Sequence, residues 1–179
     1  KARNAAGEVL TIEFLSDTPT FERVLQPFIK NLGLLGIDAS IRQVDAAQFE
    51  ERLKDFDFDI IIRRFSMRET PGVELRAFMG SETADQPGSR NLAGIANPAV
   101  DALIDRVVHA TSRQELVTAT RALDRVLRAN HYWIPQWYKG EHNLAVWDKF
   151  GWPEVKPKYH RGVIRLWWVD PEKEARLNQ

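Results

Sequence analysis

The first third of the chain alternates between two hydrophobic periods, and this alternation limits the folds that the chain can adopt. Apolar and polar residues alternate in segments 9–15 and 37–44, as they do in strands. Apolar residues recur at helical spacing after Thr18 and again after Asp45, and segment 58–65 is a third strand pattern. Strand–helix–strand alternation predicts parallel pairing through right-handed crossovers. We therefore expect an α/β fold with an open sheet that helices cover.

The stretch DFDFDIIIRRF, which starts at Asp55, is compatible with a metal site or with a buried strand. A calcium loop that began there would need Gly at its sixth position and Glu at its twelfth, where this chain has Ile60 and Ser66. A catalytic pair of Asp57 and Asp59 agrees with the spacing, because alternate residues of a strand point the same way. The isoleucine run favours the strand interpretation, with both faces of the strand covered.

The segment after the third strand pattern is the expected ligand edge of the sheet. Ligands of open parallel sheets bind outside the carboxyl ends of the strands, which places this edge at residues 63–70. Residues 66–97 are rich in Gly, Ser, Pro and Asn and are predicted to form a loop with one short helix near residues 73–78.

Two amphipathic helices are predicted after this loop. Asn97 and Pro98 mark the start of the first. Ser112 and Glu115 have the spacing of a capping box and mark the start of the second, which runs to about Arg128. The apolar stripes of both helices are typical of core positions, so we assign them no chemistry.

Aromatic residues are concentrated near the end of the chain, where all six Trp and all three Tyr lie between Tyr132 and Trp168. The stretches YWIPQWYKG and GVIRLWW are typical of strands or extended segments. The favoured interpretation is a core that docks a terminal segment. An aromatic-walled pocket or interface is the functional alternative. In a third interpretation, some of these aromatics pack on a part of the protein outside this chain and are exposed here.

The composition excludes several kinds of site. The chain has no cysteine, which excludes disulfides, thiolate zinc sites and cysteine nucleophiles. The 25 Lys and Arg balance the 25 Asp and Glu, so the chain lacks the basic field that binds duplex nucleic acid. Nucleophile-elbow, zinc-helix and phosphate-loop motifs are absent from the sequence, and the histidines are not spaced as metal ligands. We expect no cofactor, no metal ion, no catalytic residue and no nucleic-acid partner.

Three blocks of sequence, in order, resemble one protein family. They are LGIDASIRQVDAAQFEERLKDFDFDIIIRRF, TPGVELRAFMGSETADQPGSRNLAGIANPAVDALI and RALDRVLRANHYWIPQWY. Together they make residues 10–168 resemble the C-terminal portion of the extracellular solute-binding proteins of ABC importers, in the peptide/nickel class. The stretches TPGVELR and GSRNLAGI are most similar to sequences of the branch that imports oligopeptides and microcin-C-type peptide conjugates.

The resemblance implies a two-lobed, exported protein, roughly three times as long as this chain, that closes on its ligand by hinge motion. Residues 1–143 would form a type II periplasmic-binding-protein lobe with an open mixed sheet flanked by helices. Residues 144–179 would be an aromatic-rich tail that crosses back to a missing N-terminal lobe. The protein would then be periplasmic, its signal peptide absent because the chain is a fragment. It would deliver peptide-like solutes to a membrane permease and would not be an enzyme.

The resemblance also implies where the ligand binds. Many peptide binders of this class hold the ligand's amine with an aspartate a few residues before the proline that corresponds to Pro71. Here that position is Met67, so the amine clamp is missing. Arg64, Arg68 and Glu69 are close enough in sequence to replace it, with Glu69 for an amine or an arginine for a carboxylate. The candidate ligand residues are Arg64, Met67, Arg68, Glu69, Asn91 and Trp137.

Other interpretations of these residues remain open. The charged candidates also fit a solvated loop. A carboxylate-dependent hydrolase domain would use Asp57 and Asp59, and an interaction module would dock a partner chain through the aromatic tail. Asp59 is similar to the aspartate that precedes the core strand in the family, which implies a structural role such as capping a turn or meeting a nearby amide.

Overall fold

The computed structural model describes residues 1–65, 70–138, 140–141, 143–156 and 163–177, and it divides the chain into two compact units, Lys1–Ile134 and Pro135–Gln179. The strands of the first unit are β1 (Thr11–Ser16), β2 (Asp38–Gln43) and β3 (Ile60–Ile61). Its helices are α1 (Glu22–Leu34), α2 (Ala46–Lys54), α3 (Glu74–Met79), α4 (Pro98–Val108) and α5 (Arg113–Ala129). Within the described ranges, none of the helices has the length and apolarity of a bilayer span.

The sheet of the first unit has the strand order β2-β1-β3, with both pairings parallel. In the register, Thr11 lies opposite Asp38 and Phe14 lies opposite both Ile41 and Ile60. Parallel neighbours need a crossover connection, and α1 and α2 provide it. The α/β class that the hydrophobic periods predict is therefore confirmed.

Strand β3 is shorter than its sequence pattern predicts. The pattern covers residues 58–65, whereas pairing with β1 is confined to Ile60–Ile61. The expectation that helices bury this strand on both faces was also wrong, because Ile60, Ile61 and Ile62 are only half-buried. Among the described residues β3 pairs with β1 alone, and this edge position explains its partial exposure.

Two separate clusters form the core of the first unit. The smaller one packs α2 on the sheet and contains Leu15, Val44, Phe49 and Leu53. The larger one joins α3, α4 and α5 and contains Leu75, Met79, Ile95, Val100, Ile104, Val107, Ala119, Leu123 and Leu127. The apolar stripes predicted for α4 and α5 are therefore core, as expected. Phe78 of α3 packs against the larger cluster, which links that core to the surface described below.

The start of α5 differs in one detail from a capping box. Ser112 Oγ accepts a hydrogen bond from the Glu115 amide at 3.1 Å, as predicted. The Glu115 carboxylate, however, accepts from the amide and the hydroxyl of Thr111, both at 3.0 Å, and not from Ser112. The backbone bond to Thr111, followed by its hydroxyl bond, lowers the pKa of Glu115 below its ordinary value.

Because its pKa is lower in the folded state, ionised Glu115 stabilises the protein above its unfolded pKa near 4.5, and this contribution is lost as the pH falls through the folded pKa. We therefore expect Glu115→Gln to lower the urea midpoint slightly at pH 7, with a difference from wild type that shrinks as the pH falls through the folded pKa of Glu115. Glu82→Gln, at another exposed glutamate, is the matched charge control. A difference that does not change with pH would contradict this assignment.

The second unit contains β4 (Phe150–Gly151), α6 (Val163–Leu166), β5 (Trp168–Val169) and α7 (Pro171–Leu177). Strands β4 and β5 pair antiparallel. Part of the GVIRLWW stretch is thus helical, where its aromatics and β-branched residues predicted a strand. The rings of Trp152 and Trp167 pack with centroids 5.0 Å apart.

Exposed aromatics are the other feature of the second unit. Trp137 is 62% exposed, Tyr138 90% and Trp147 74%. For these three side chains the predicted core packing is not observed, and they instead fit the interpretation in which aromatics of the tail are exposed in this chain.

Candidate ligand-binding groove

A groove of about 330 Å³ lies in the first unit beside the carboxyl end of β3. Its walls come from the second half of α2, from the segment directly after β3, from α3 and from the loop 88–92. The charged lining residues are Glu50, Lys54, Arg63, Arg64 and Arg90. This position agrees with the general rule for parallel sheets and overlaps the ligand edge that we expect at residues 63–70.

Arg63 is held against α2. Its guanidinium nitrogen Nη2 lies 3.2 Å from Glu50 Oε1, and its Cζ lies 5.1 Å from the centre of the Phe49 ring. A carboxylate and an aromatic face therefore already engage Arg63. Lys54 is paired as well, since its Nζ lies 2.6 Å from Glu51 Oε1, and this hydrogen bond raises the pKa of Lys54.

Arg64 and Arg90 differ from Arg63 and Lys54. Neither forms an ion pair with a carboxylate in the part of the chain that the structure describes. The Arg90 guanidinium lies over the ring of Phe78 at 5.7 Å from its centre. The described lining of the groove thus carries two guanidinium groups whose charge no described carboxylate balances.

Aromatic rings form the apolar side of the groove. Phe65 meets Phe78 edge to face, with ring centroids 5.8 Å apart, and Trp133 at 5.7 Å. Phe65 remains 40% exposed. The arrangement offers a ligand an apolar surface next to fixed positive charge, which is the composition of small-ligand sites with a few orienting polar groups.

The predicted ligand residues fall in different places. Arg64 lines the groove. Met67, Arg68 and Glu69 lie outside the described residues. Trp137 belongs to the second unit, where it is exposed.

Asn91 lies inside the loop and not on the groove surface. Its side-chain nitrogen donates to the carbonyls of Gly80 at 3.1 Å and Ile95 at 2.9 Å, and its oxygen accepts from the Ile95 amide at 2.9 Å. The residue is 0% exposed. Because no surface of Asn91 is accessible to a ligand, the prediction of direct contact is not supported, and the geometry assigns Asn91 to holding this loop.

Sequence reasoning missed Arg90 and Phe78. Arg90 follows the turn at Gly88 and Ser89, and Phe78 lies at the end of the short helix predicted near residues 73–78, to which no role was assigned. The only local signal for Arg90 was its position between that turn and Asn91, which does not show which way the loop carries the side chain.

The aspartates of the DFDFDIIIRRF stretch have structural partners. The Asp59 carboxylate accepts from the Glu13 amide at 2.8 Å and so joins the residue before β3 to β1. Arg52 donates to Glu13 at 2.9 Å and to Asp57 at 2.8 Å, and the bond to Glu13 contributes most to the raised pKa of Arg52. The structural role expected for Asp59 is confirmed. In the described residues no three His, Asp or Glu side chains are grouped to hold a metal.

Comparison with known proteins identifies relatives of the chain, although no family model matches it. The probable peptide-binding protein YejA of Agrobacterium fabrum is 49% identical over 164 residues, which are 92% of this chain and 27% of that protein. An uncharacterized protein YejA of Escherichia coli is 37% identical over 172 residues, which are 96% of this chain and 28% of the relative. The chain spans about a quarter of the length of these curated relatives.

Solved structures share the fold. The periplasmic oligopeptide-binding protein of an oligopeptide ABC transporter from Thermotoga maritima matches with a TM-score of 0.63 and 20% identity, over 77% of this chain and 27% of that chain. The α/β architecture is thus that of a type II periplasmic binding protein. Taken with the relatives, this shared fold shows that the chain belongs to the extracellular solute-binding proteins of ABC importers, in the peptide/nickel class.

Proposed function

We propose that the chain forms one ligand-binding lobe of a periplasmic protein that captures peptide-like solutes by lobe closure and delivers them to an ABC permease. The observation that carries this proposal is the groove beside the carboxyl end of β3, which combines the guanidinium groups of Arg64 and Arg90 with an aromatic wall. A peptide offers matching chemistry, namely a charged terminus and apolar side chains. A relative named as a peptide-binding protein supports the same ligand class.

The hydrolase alternative has less support. Its proposed carboxylates, Asp57 and Asp59, are engaged by Arg52 and by the Glu13 amide. A catalytic acid or base needs access to the reacting group and a pKa suited to proton transfer. The structural bonds of these two aspartates instead join β1, α2 and β3, and the relative with the highest identity quoted above is named as a binding protein.

The proposed function requires a second lobe and gives the tail a partner. The relatives are several times longer than the chain, which leaves room for another lobe to close over the groove. We propose that residues 144–179 contact that lobe. The exposed Trp147 and Val155 support this, at 74% and 83% exposure, because contact with another lobe would cover apolar surface that is open to solvent here.

Native mass spectrometry on the complete mature protein, purified gently from the periplasm, tests the proposal. We expect a co-purifying mass that fragments as a peptide, and calorimetry with synthetic peptides is then expected to show saturable binding without cleavage. Cleavage of the offered peptides would favour the hydrolase. The absence of both a bound mass and any measurable peptide affinity would contradict peptide capture.

A further inference from the structure

We propose that the groove selects ligands with a free carboxylate next to an aromatic or bulky apolar side chain. This inference rests on the proposed function and deepens it, since it names the part of a peptide that this lobe binds. The carboxylate has two sources in peptides, the C-terminus and an acidic side chain, and both present the same oxygen pair to a guanidinium group.

Two of the four cationic side chains on the described lining of the groove are paired with carboxylates. Glu50 neutralises Arg63 at 3.2 Å, and Glu51 neutralises Lys54 at 2.6 Å. Arg64 and Arg90 then remain on the described lining without a carboxylate partner. A planar guanidinium group matches a carboxylate through two parallel hydrogen bonds, so two such groups beside one groove favour an anionic ligand group.

The same residues disfavour an amine. A peptide ammonium group needs a carboxylate or an open aromatic face. The one carboxylate of the described lining, Glu50, already holds Arg63. Of the two phenylalanine rings on the described lining, Phe78 is covered by Arg90, whereas Phe65 remains 40% exposed. An ammonium group over Phe65 would share the groove with the Arg64 and Arg90 guanidinium groups and would meet like charge.

The aromatic wall determines which kind of side chain the groove favours next to the ligand's carboxylate. Phe65 lines the groove next to Arg64, is 40% exposed and is braced by Phe78 and Trp133. A ring or large aliphatic side chain next to the ligand's carboxylate would cover this exposed surface. Arg64 and Arg90 are both exposed, so each charged contact is partly screened and the preference is expected to be moderate.

The test uses the complete protein and two probe series in calorimetry. The first series compares the pentapeptide Ala-Ala-Ala-Ala-Phe with a free C-terminal acid and with a C-terminal amide. It also compares Ala-Ala-Glu-Phe-Ala with Ala-Ala-Gln-Phe-Ala, both as C-terminal amides. The second is 3-phenylpropionate and its neutral amide, which report the carboxylate preference without any peptide. The variants are Arg64→Gln, Arg90→Gln and the double variant. Arg121→Gln, at an exposed position of α5 away from the groove lining, removes the same charge and is the control.

We expect each acid to bind about 10- to 100-fold more tightly than its amide, and the double variant to lose most of this ratio while Arg121→Gln keeps it. Tighter binding of the peptide with a free C-terminal acid than of the Glu-containing amide, or the reverse, identifies the source of the carboxylate. Equal binding of acids and amides, or a ratio that survives in the double variant, would overturn the inference while leaving peptide capture intact. If 3-phenylpropionate shows the preference and no peptide binds, the inference stands and the proposed function fails.

Discussion

Replacement of Asn91 by alanine is expected to lower the free energy of unfolding by about 3–4 kcal/mol. The side chain is 0% exposed and makes three hydrogen bonds, which connect the end of α3 at Gly80 with Ile95. Alanine leaves those buried backbone groups without partners, and the space that remains is closed to solvent. Urea unfolding followed by circular dichroism measures the change.

Asn130→Ala is the matched control for this prediction. Asn130 is exposed, and its amide also donates to a backbone carbonyl, that of Val126 at 2.7 Å. Water can replace that bond, so we expect a loss of about 1 kcal/mol or less. An Asn91→Ala variant that is as stable as the control but binds peptide poorly would show that Asn91 contacts the ligand after all.

Ile104→Ala is expected to cost about 3–4 kcal/mol, and Ile104→Val about 1 kcal/mol. Ile104 is 1% exposed and lies in the cluster that joins α3, α4 and α5. Close-packed surroundings collapse only partly around the removed atoms, so the loss includes a cavity as well as the transfer of the side chain. Chemical denaturation of the three proteins under identical conditions tests the graded series.

Leu34→Ala removes a comparable apolar side chain from a site that is 82% exposed, at the end of α1. We expect a change of no more than about 0.5 kcal/mol, because little apolar surface returns to water. Equal losses at Ile104 and Leu34 would contradict the assignment of the α3–α4–α5 cluster as core. Because Phe78 packs on this cluster and also lines the groove, ligand affinity should be measured for Ile104→Ala as well as stability.

Local patterns predicted most of the helices well. Asn97 accepts from the Ala99 amide at the start of α4, and Asp45 accepts from the Gln48 amide at the start of α2. Such caps depend on neighbouring residues and are visible in a single sequence. Strand β3 was less predictable, because its length depends on how much of it reaches a partner strand and not on its own isoleucines.

The candidate site was predictable only in part. Arg64 was accessible to prediction because the carboxyl end of a parallel strand is a general ligand position. Arg90 was not, since it reaches the groove through a loop that Asn91 holds from inside. An asparagine that anchors a loop and one that contacts a ligand have the same local sequence, and only burial distinguishes them.

The sequence by itself determined the α/β class, the starts of the main helices, the absence of thiol chemistry and the family resemblance, because each depends on composition, short-range periodicity or ordered motifs. The tertiary structure decided which charged side chains form ion pairs. Arg63 and Arg64 are adjacent in sequence, yet Arg63 lies against Glu50 and Phe49 while Arg64 lines the same groove without a described carboxylate partner. Ion pairing depends on distances between segments far apart in the chain, and those distances exist only once the sheet, α2 and the loop have packed together.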